Sequence, residues 1–72
     1  MIEIAEIEAA RGRLAGAAVR TPLVRLPLED APCEIWCKLE TLQPVNSFKI
    51  RGAANAILAA SDAELAHGVV TA

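Results

Sequence analysis

Lys49 is the residue of this chain best placed for covalent chemistry, and its neighbours are the reason. It lies in Asn46-Ser47-Phe48-Lys49-Ile50-Arg51-Gly52, after an apolar, strand-like run and at the opening of an alanine-rich helix. Partial burial there, together with the positive end of a helix dipole, disfavours a charged amine. A lysine so placed is suited to forming an imine with an aldehyde and then to moving protons as a free amine. The competing reading is a first-turn lysine with its amine in water. Position alone favours that second reading.

The residues around Lys49 carry the same ambiguity. Phe48 is the only Phe of the chain. It can serve as core or lie flat against a planar ring, and composition favours core. Asn46 and Ser47 are most simply helix caps, although exposed N–H groups at a helix start also suit an anion. Gly52 costs helix stability relative to alanine, so Arg51-Gly52 predicts a helix packed tightly against a neighbour. Lys38 and Glu40 fall on the face opposite Ile35, where a solvated pair is the default. Cys33, Cys37 and His67 do not make the four ligands of a structural zinc site, so Cys37 is expected as a buried, unbridged thiol and no metal is expected.

The elements that must position these groups are legible from periodicity. Residues 3–16 form an amphipathic pattern, with Ile4, Ile7 and Leu14 on one face and Gly16 as a stop. Thr21-Pro22 ends any helical reading, and Leu23, Val24 and Leu26 then predict a short extended segment. Residues 34–40 alternate apolar and polar, apart from Trp36, and predict a strand that Gln43-Pro44 breaks. A helix follows from Asn46 or Ser47 to about Ala60, and then a short one capped by Ser61 and ended by Gly68. Val69-Val70-Thr71 predicts a last strand. This order fits a crossover α/β unit with its sheet incomplete.

Length and composition point the same way. The chain has 72 residues, 54% of them apolar, with one Phe, one Trp and no Tyr. That is the make-up of an α/β interior, yet so short a chain buries only a modest core. The simplest reading is the first part of a larger domain. A net charge of −2 with scattered basic residues gives little support to nucleic-acid binding. No apolar run approaches a membrane span, and the acidic N-terminus lacks the basic leader of a secretory or mitochondrial address. A cytoplasmic location is expected.

Thr21-Pro22-Leu23, Lys38-Leu39-Glu40, Gln43-Pro44 and Ser47-Phe48-Lys49-Ile50-Arg51-Gly52-Ala53 together closely resemble the N-terminus of the threonine dehydratase and serine racemase family. These are fold-type II pyridoxal-phosphate enzymes. The resemblance runs from about Ile7 to Ala72, and its spacing is far more specific than the lysine hexapeptide alone. It implies that residues 1–72 are the N-terminal portion of a tryptophan synthase β-like catalytic domain, an α/β fold whose Ser-x-Gly-Asn loop would follow Gly68-Val69-Val70-Thr71-Ala72. By resemblance, Lys49 is the lysine that holds pyridoxal 5'-phosphate, and Phe48 packs on one face of its pyridine ring. The family often has glycine immediately before Ser-Phe-Lys, where this chain has Asn46.

The implied reaction is β-elimination from a small hydroxy amino acid, L-threonine or L-serine, to a 2-oxo acid and ammonia. Lys49 would remove the Cα proton while the cofactor takes up the charge. The family also leaves room for a serine racemase or a 3-hydroxyaspartate-type dehydratase, and for a homo-oligomeric full-length protein. A non-enzymatic remnant is the remaining reading. Because the phosphate loop and the second base would lie beyond Ala72, these 72 residues are not expected to fold stably or bind the cofactor on their own.

Overall fold

A computed structural model describes residues 1–72. Helix α1 spans Ile4–Arg13. Its entry is stabilised by the Glu3 N–H donating to Glu6 Oε2 at 2.8 Å. The helix stops before the expected Gly16. The Leu14 N–H still closes on Ala10 O, and the chain then turns back through Gly16 at φ +85°, a left-handed conformation that glycine adopts without penalty.

Strands β1 (Leu23–Arg25) and β2 (Trp36–Lys38) pair antiparallel, with Leu23 opposite Lys38, Val24 opposite Cys37 and Arg25 opposite Trp36. Hydrogen bonding continues one step beyond each end, from Leu26 N–H to Ile35 O at 2.8 Å and from Leu39 N–H to Pro22 O at 3.0 Å. The alternation of residues 34–40 is realised as expected. Ile35, Cys37 and Leu39 are half-buried, while Trp36 and Lys38 are exposed. Cys33 and Cys37 are both free thiols.

After β2 a 3-10 turn covers Glu40–Leu42, and α2 follows at Lys49–Ala59. The two long helices are tied by Arg13 Nε donating to Asn55 Oδ1 at 2.7 Å. Helix α3 (Asp62–Leu65) is short and is capped by Ser61 as its sequence predicts. The Ser61 side chain accepts from the Glu64 N–H, and Glu64 Oε2 accepts from the Ser61 N–H at 2.7 Å. Gly68 ends it with φ +80° and an N–H donated to Leu65 O at 2.8 Å.

Two expectations are corrected here. The sheet is a single antiparallel pair joined by a loop, not a crossover unit. Residues 69–72 carry no strand. Val69 and Val70 have strand-forming side chains, but a strand exists only against a partner, and these residues pair with neither β1 nor β2.

The molecule is extended, 53 × 27 × 22 Å, and no apolar residue is buried. The only buried side chains are Thr21 and Gln43, 5% and 1% exposed. No helix is long and apolar enough to cross a membrane.

Candidate functional site

The chain enters α2 through a tight turn of residues 43–46. The Asn46 N–H donates to Gln43 O at 2.7 Å, and Pro44 occupies the second position, where its fixed φ suits the turn. Asn46 then adopts φ +60°. Left-handed backbone is costly for most L-residues, least so for asparagine, and free for glycine. Asn46 therefore holds a conformation that glycine would adopt without cost. It does not cap the helix. Nor does Ser47, because the N-cap position falls on Phe48; the Ser47 Oγ instead accepts the Lys49 N–H at 3.2 Å from one residue before the cap.

Lys49 is the first residue of α2, as expected from its place in the sequence. The partial burial expected for it is not reached, because its side chain is exposed and enters no ion pair. Burial of that kind needs surrounding elements, and none of these residues covers the first turn. Phe48, directly before it, is 64% exposed, so it is not core here. A primary amine free of partners beside an exposed aromatic ring fits a planar aldehyde cofactor such as pyridoxal phosphate. The tight packing expected at Gly52 is also absent, since a Cβ there would meet nothing within 4 Å.

Beneath this turn lies a polar cluster that local periodicity does not reveal. Glu40 is the hub. Its Oε2 accepts from the Thr21 hydroxyl, from Gln43 Nε2 at 3.0 Å and from an Arg51 terminal nitrogen at 3.1 Å. Its Oε1 accepts from Arg51 Nε, which makes the Arg51 contact two-pronged. The Gln43 side chain behaves as a short surrogate strand. Its Oε1 accepts the Val19 N–H at 2.9 Å and its Nε2 donates to Val19 O at 2.8 Å. This pattern fixes the orientation of the amide. Arg51 also donates to Val19 O at 3.1 Å, and Lys38 Nζ donates to Thr21 O at 3.1 Å.

The expected solvated Lys38–Glu40 pair is thus replaced by two separate tasks. The Arg51 guanidinium, and after it the Thr21 hydroxyl, hold the Glu40 carboxyl at a pKa of about 2, against an opposing desolvation. Arg51 is shifted upward in turn by its hydrogen bond to Glu40. Thr21, Lys38, Glu40, Gln43 and Arg51 are, with Ser47 and Lys49, the polar members of the segments whose spacing carried the family resemblance. That spacing, with a proline after Thr21 and after Gln43, was the one signal in the sequence for the cluster.

A groove of about 530 Å³ opens between α1 and the base of β2 alongside this cluster, walled by Ile7, Leu14, Val19, Arg20, Lys38 and Arg51 among others. Lys49 does not border it.

The sequence profile of the family described as "Pyridoxal-phosphate dependent enzyme" matches residues 14–72. A putative threonine dehydratase of Sinorhizobium fredii is 41% identical over 73 residues, covering 99% of this chain and 22% of that protein. The catabolic L-threonine dehydratase of Escherichia coli K12 is 41% identical over 96% of the chain and 22% of its own length. A serine racemase of Dictyostelium discoideum is 38% identical over 97% of the chain and 22% of its own length. The chain thus spans 22% of the length of these relatives. No solved structure matches it.

Proposed function

The chain belongs to the pyridoxal-phosphate dependent enzyme family, and on that premise we propose that Lys49 is the cofactor lysine of an ammonia-lyase acting on L-threonine or L-serine. Residues 1–72 form the N-terminal portion of its catalytic domain. The observation that carries this reading is the unpartnered Lys49 amine in the first turn of α2, directly after an exposed Phe48. When bound, pyridoxal phosphate supplies an electron sink for the charge left at the substrate Cα.

The chain's own residues have defined tasks. Lys49 would hold the cofactor through its Nζ, and the same atom would receive the substrate Cα proton. Phe48 packs against the ring and keeps water from that side. The turn at 43–46 and the Ser47 hydroxyl set the direction in which the first turn of α2 starts. The β-hydroxyl would leave as water, and hydrolysis of the released enamine by water would give a 2-oxo acid and ammonia. Later residues of the domain supply the phosphate cradle.

The dehydratase reading draws support from the names of relatives at 41% identity over nearly the whole chain. A serine racemase is the second reading, favoured by relatives of that name at 38% identity. The whole protein, incubated with L-threonine, L-serine and 3-hydroxyaspartate and assayed for 2-oxo acid and D-isomer, separates the two. The expected result is 2-oxo acid from threonine or serine, abolished by Lys49→Ala. Full activity in Lys49→Ala would refute the assignment.

A further inference from the structure

The buried centre of this chain is polar, and it lies directly under the turn that presents Lys49. Thr21 and Gln43, the only buried side chains, both donate to Glu40. The third donor, Arg51, stands two residues past Lys49 in the same helical turn. Gln43 precedes the lysine segment and Arg51 ends it, so residues 44–50 are pinned at both ends to one carboxylate. We propose that Glu40 is the positioning residue of the Lys49 site, fixing through Gln43 and Arg51 the place from which the lysine amine reaches the cofactor.

The chemistry of the cluster supports a geometric role. Each Glu40 oxygen faces donors only: Oε1 faces Arg51, and Oε2 faces Thr21, Gln43 and Arg51. A carboxylate is acceptor-only and can satisfy that arrangement, whereas an amide of the same shape turns an NH2 group toward a donor. Arg51 reaches both oxygens with its planar fork and still holds Val19 O, which a lysine's single ammonium cannot reproduce. A filled polar network in a site with no apolar burial specifies position, because moving any member leaves another unpaired. The carboxyl remains ionised throughout the neutral range, since Arg51 and Thr21 hold its pKa down. A displacement of the reacting amine by about 1 Å costs up to about 100-fold in rate.

This inference rests on the reading of Lys49 as the cofactor lysine, and one experiment separates the two. The whole apoprotein is mixed with pyridoxal phosphate, quenched with borohydride at timed intervals, and the adduct on Lys49 is quantified by peptide mass. Glu40→Gln and Arg51→Lys are expected to slow its formation about 10- to 100-fold, and the milder Thr21→Val, which removes one donor, by several-fold. Leu14→Ala, at the residue that follows α1 and outside the cluster, is the control, brought to the same melting temperature with urea. It is expected to load at the unaltered rate. Loading at that rate in all three cluster variants, or an equal slowing in Leu14→Ala, overturns the positioning role. No adduct on Lys49 in the unaltered protein refutes the proposed function itself, and this inference with it.

Discussion

Residues 1–72, produced alone, should not hold the structure described here. The accessible surface is 6278 Å² for a chain of 7.6 kDa. A compact protein of that mass exposes about 4300 Å². The excess is roughly 2000 Å². If half of it is apolar, at about 25 cal/mol per Å² it represents roughly 25 kcal/mol of burial that these residues do not achieve by themselves. The net stability of a whole domain is only about 5–15 kcal/mol, so the shortfall decides the matter.

The dimensions agree. The radius of gyration is 16.0 Å, against about 11 Å for a compact chain of this length and about 26 Å for an unfolded one. Small-angle scattering of the isolated segment should give a value well above 16.0 Å, and thermal melting followed by circular dichroism should show no cooperative transition. A cooperative melt with a radius at or below that value would show that the segment folds on its own. Absorbance should also show no cofactor bound to the segment at micromolar concentration.

Two further predictions concern the turn and the carboxylates of the whole protein. Asn46 stands at φ +60°, so Asn46→Ala should cost about 1 kcal/mol and Asn46→Val somewhat more, while Asn46→Gly stays within about 0.5 kcal/mol; urea denaturation measures all three, and an Asn46→Val protein as stable as the original would contradict the left-handed turn. Glu40 has a folded pKa of about 2 against 4.5, and that of Glu64 is also lowered, chiefly by the Ser61 N–H. A depressed folded pKa means that each carboxylate's contribution is complete above pH 4.5 and is lost as the pH falls through the folded value, about 2 for Glu40. Carbon-13 carboxyl NMR should therefore show Glu40 still ionised at pH 3.5, and Arg51→Met should move its titration upward.

What the sequence revealed and what it hid divide along a physical line. The start of α2 at Lys49, the Ser61 cap with its Glu64 partner, and the in-out alternation around Cys37 are local. They depend on periodicity and on hydrogen bonds reaching three or four residues, and all appear in the structure. The Glu40 hub draws on Thr21 and Arg51, and Gln43 reaches back to Val19, so no local pattern encodes it. Its trace was the spacing of polar residues across four separated segments. The last strand and the burial of Lys49 and Phe48 depend on partners that these residues do not contain. Propensity at Val69-Val70 and position at Lys49 therefore pointed to states that the 72 residues do not reach.

Lys49, and no other amine of this chain, is the proposed carrier of the cofactor. Its only rival among lysine side chains is Lys38, whose Nζ is already committed to Thr21 O at 3.1 Å. Borohydride reduction of the whole protein with pyridoxal phosphate, followed by peptide mass mapping, tests this directly. A single modified lysine within residues 1–72, at Lys49, is expected. Modification at Lys38, or at neither lysine, would contradict it.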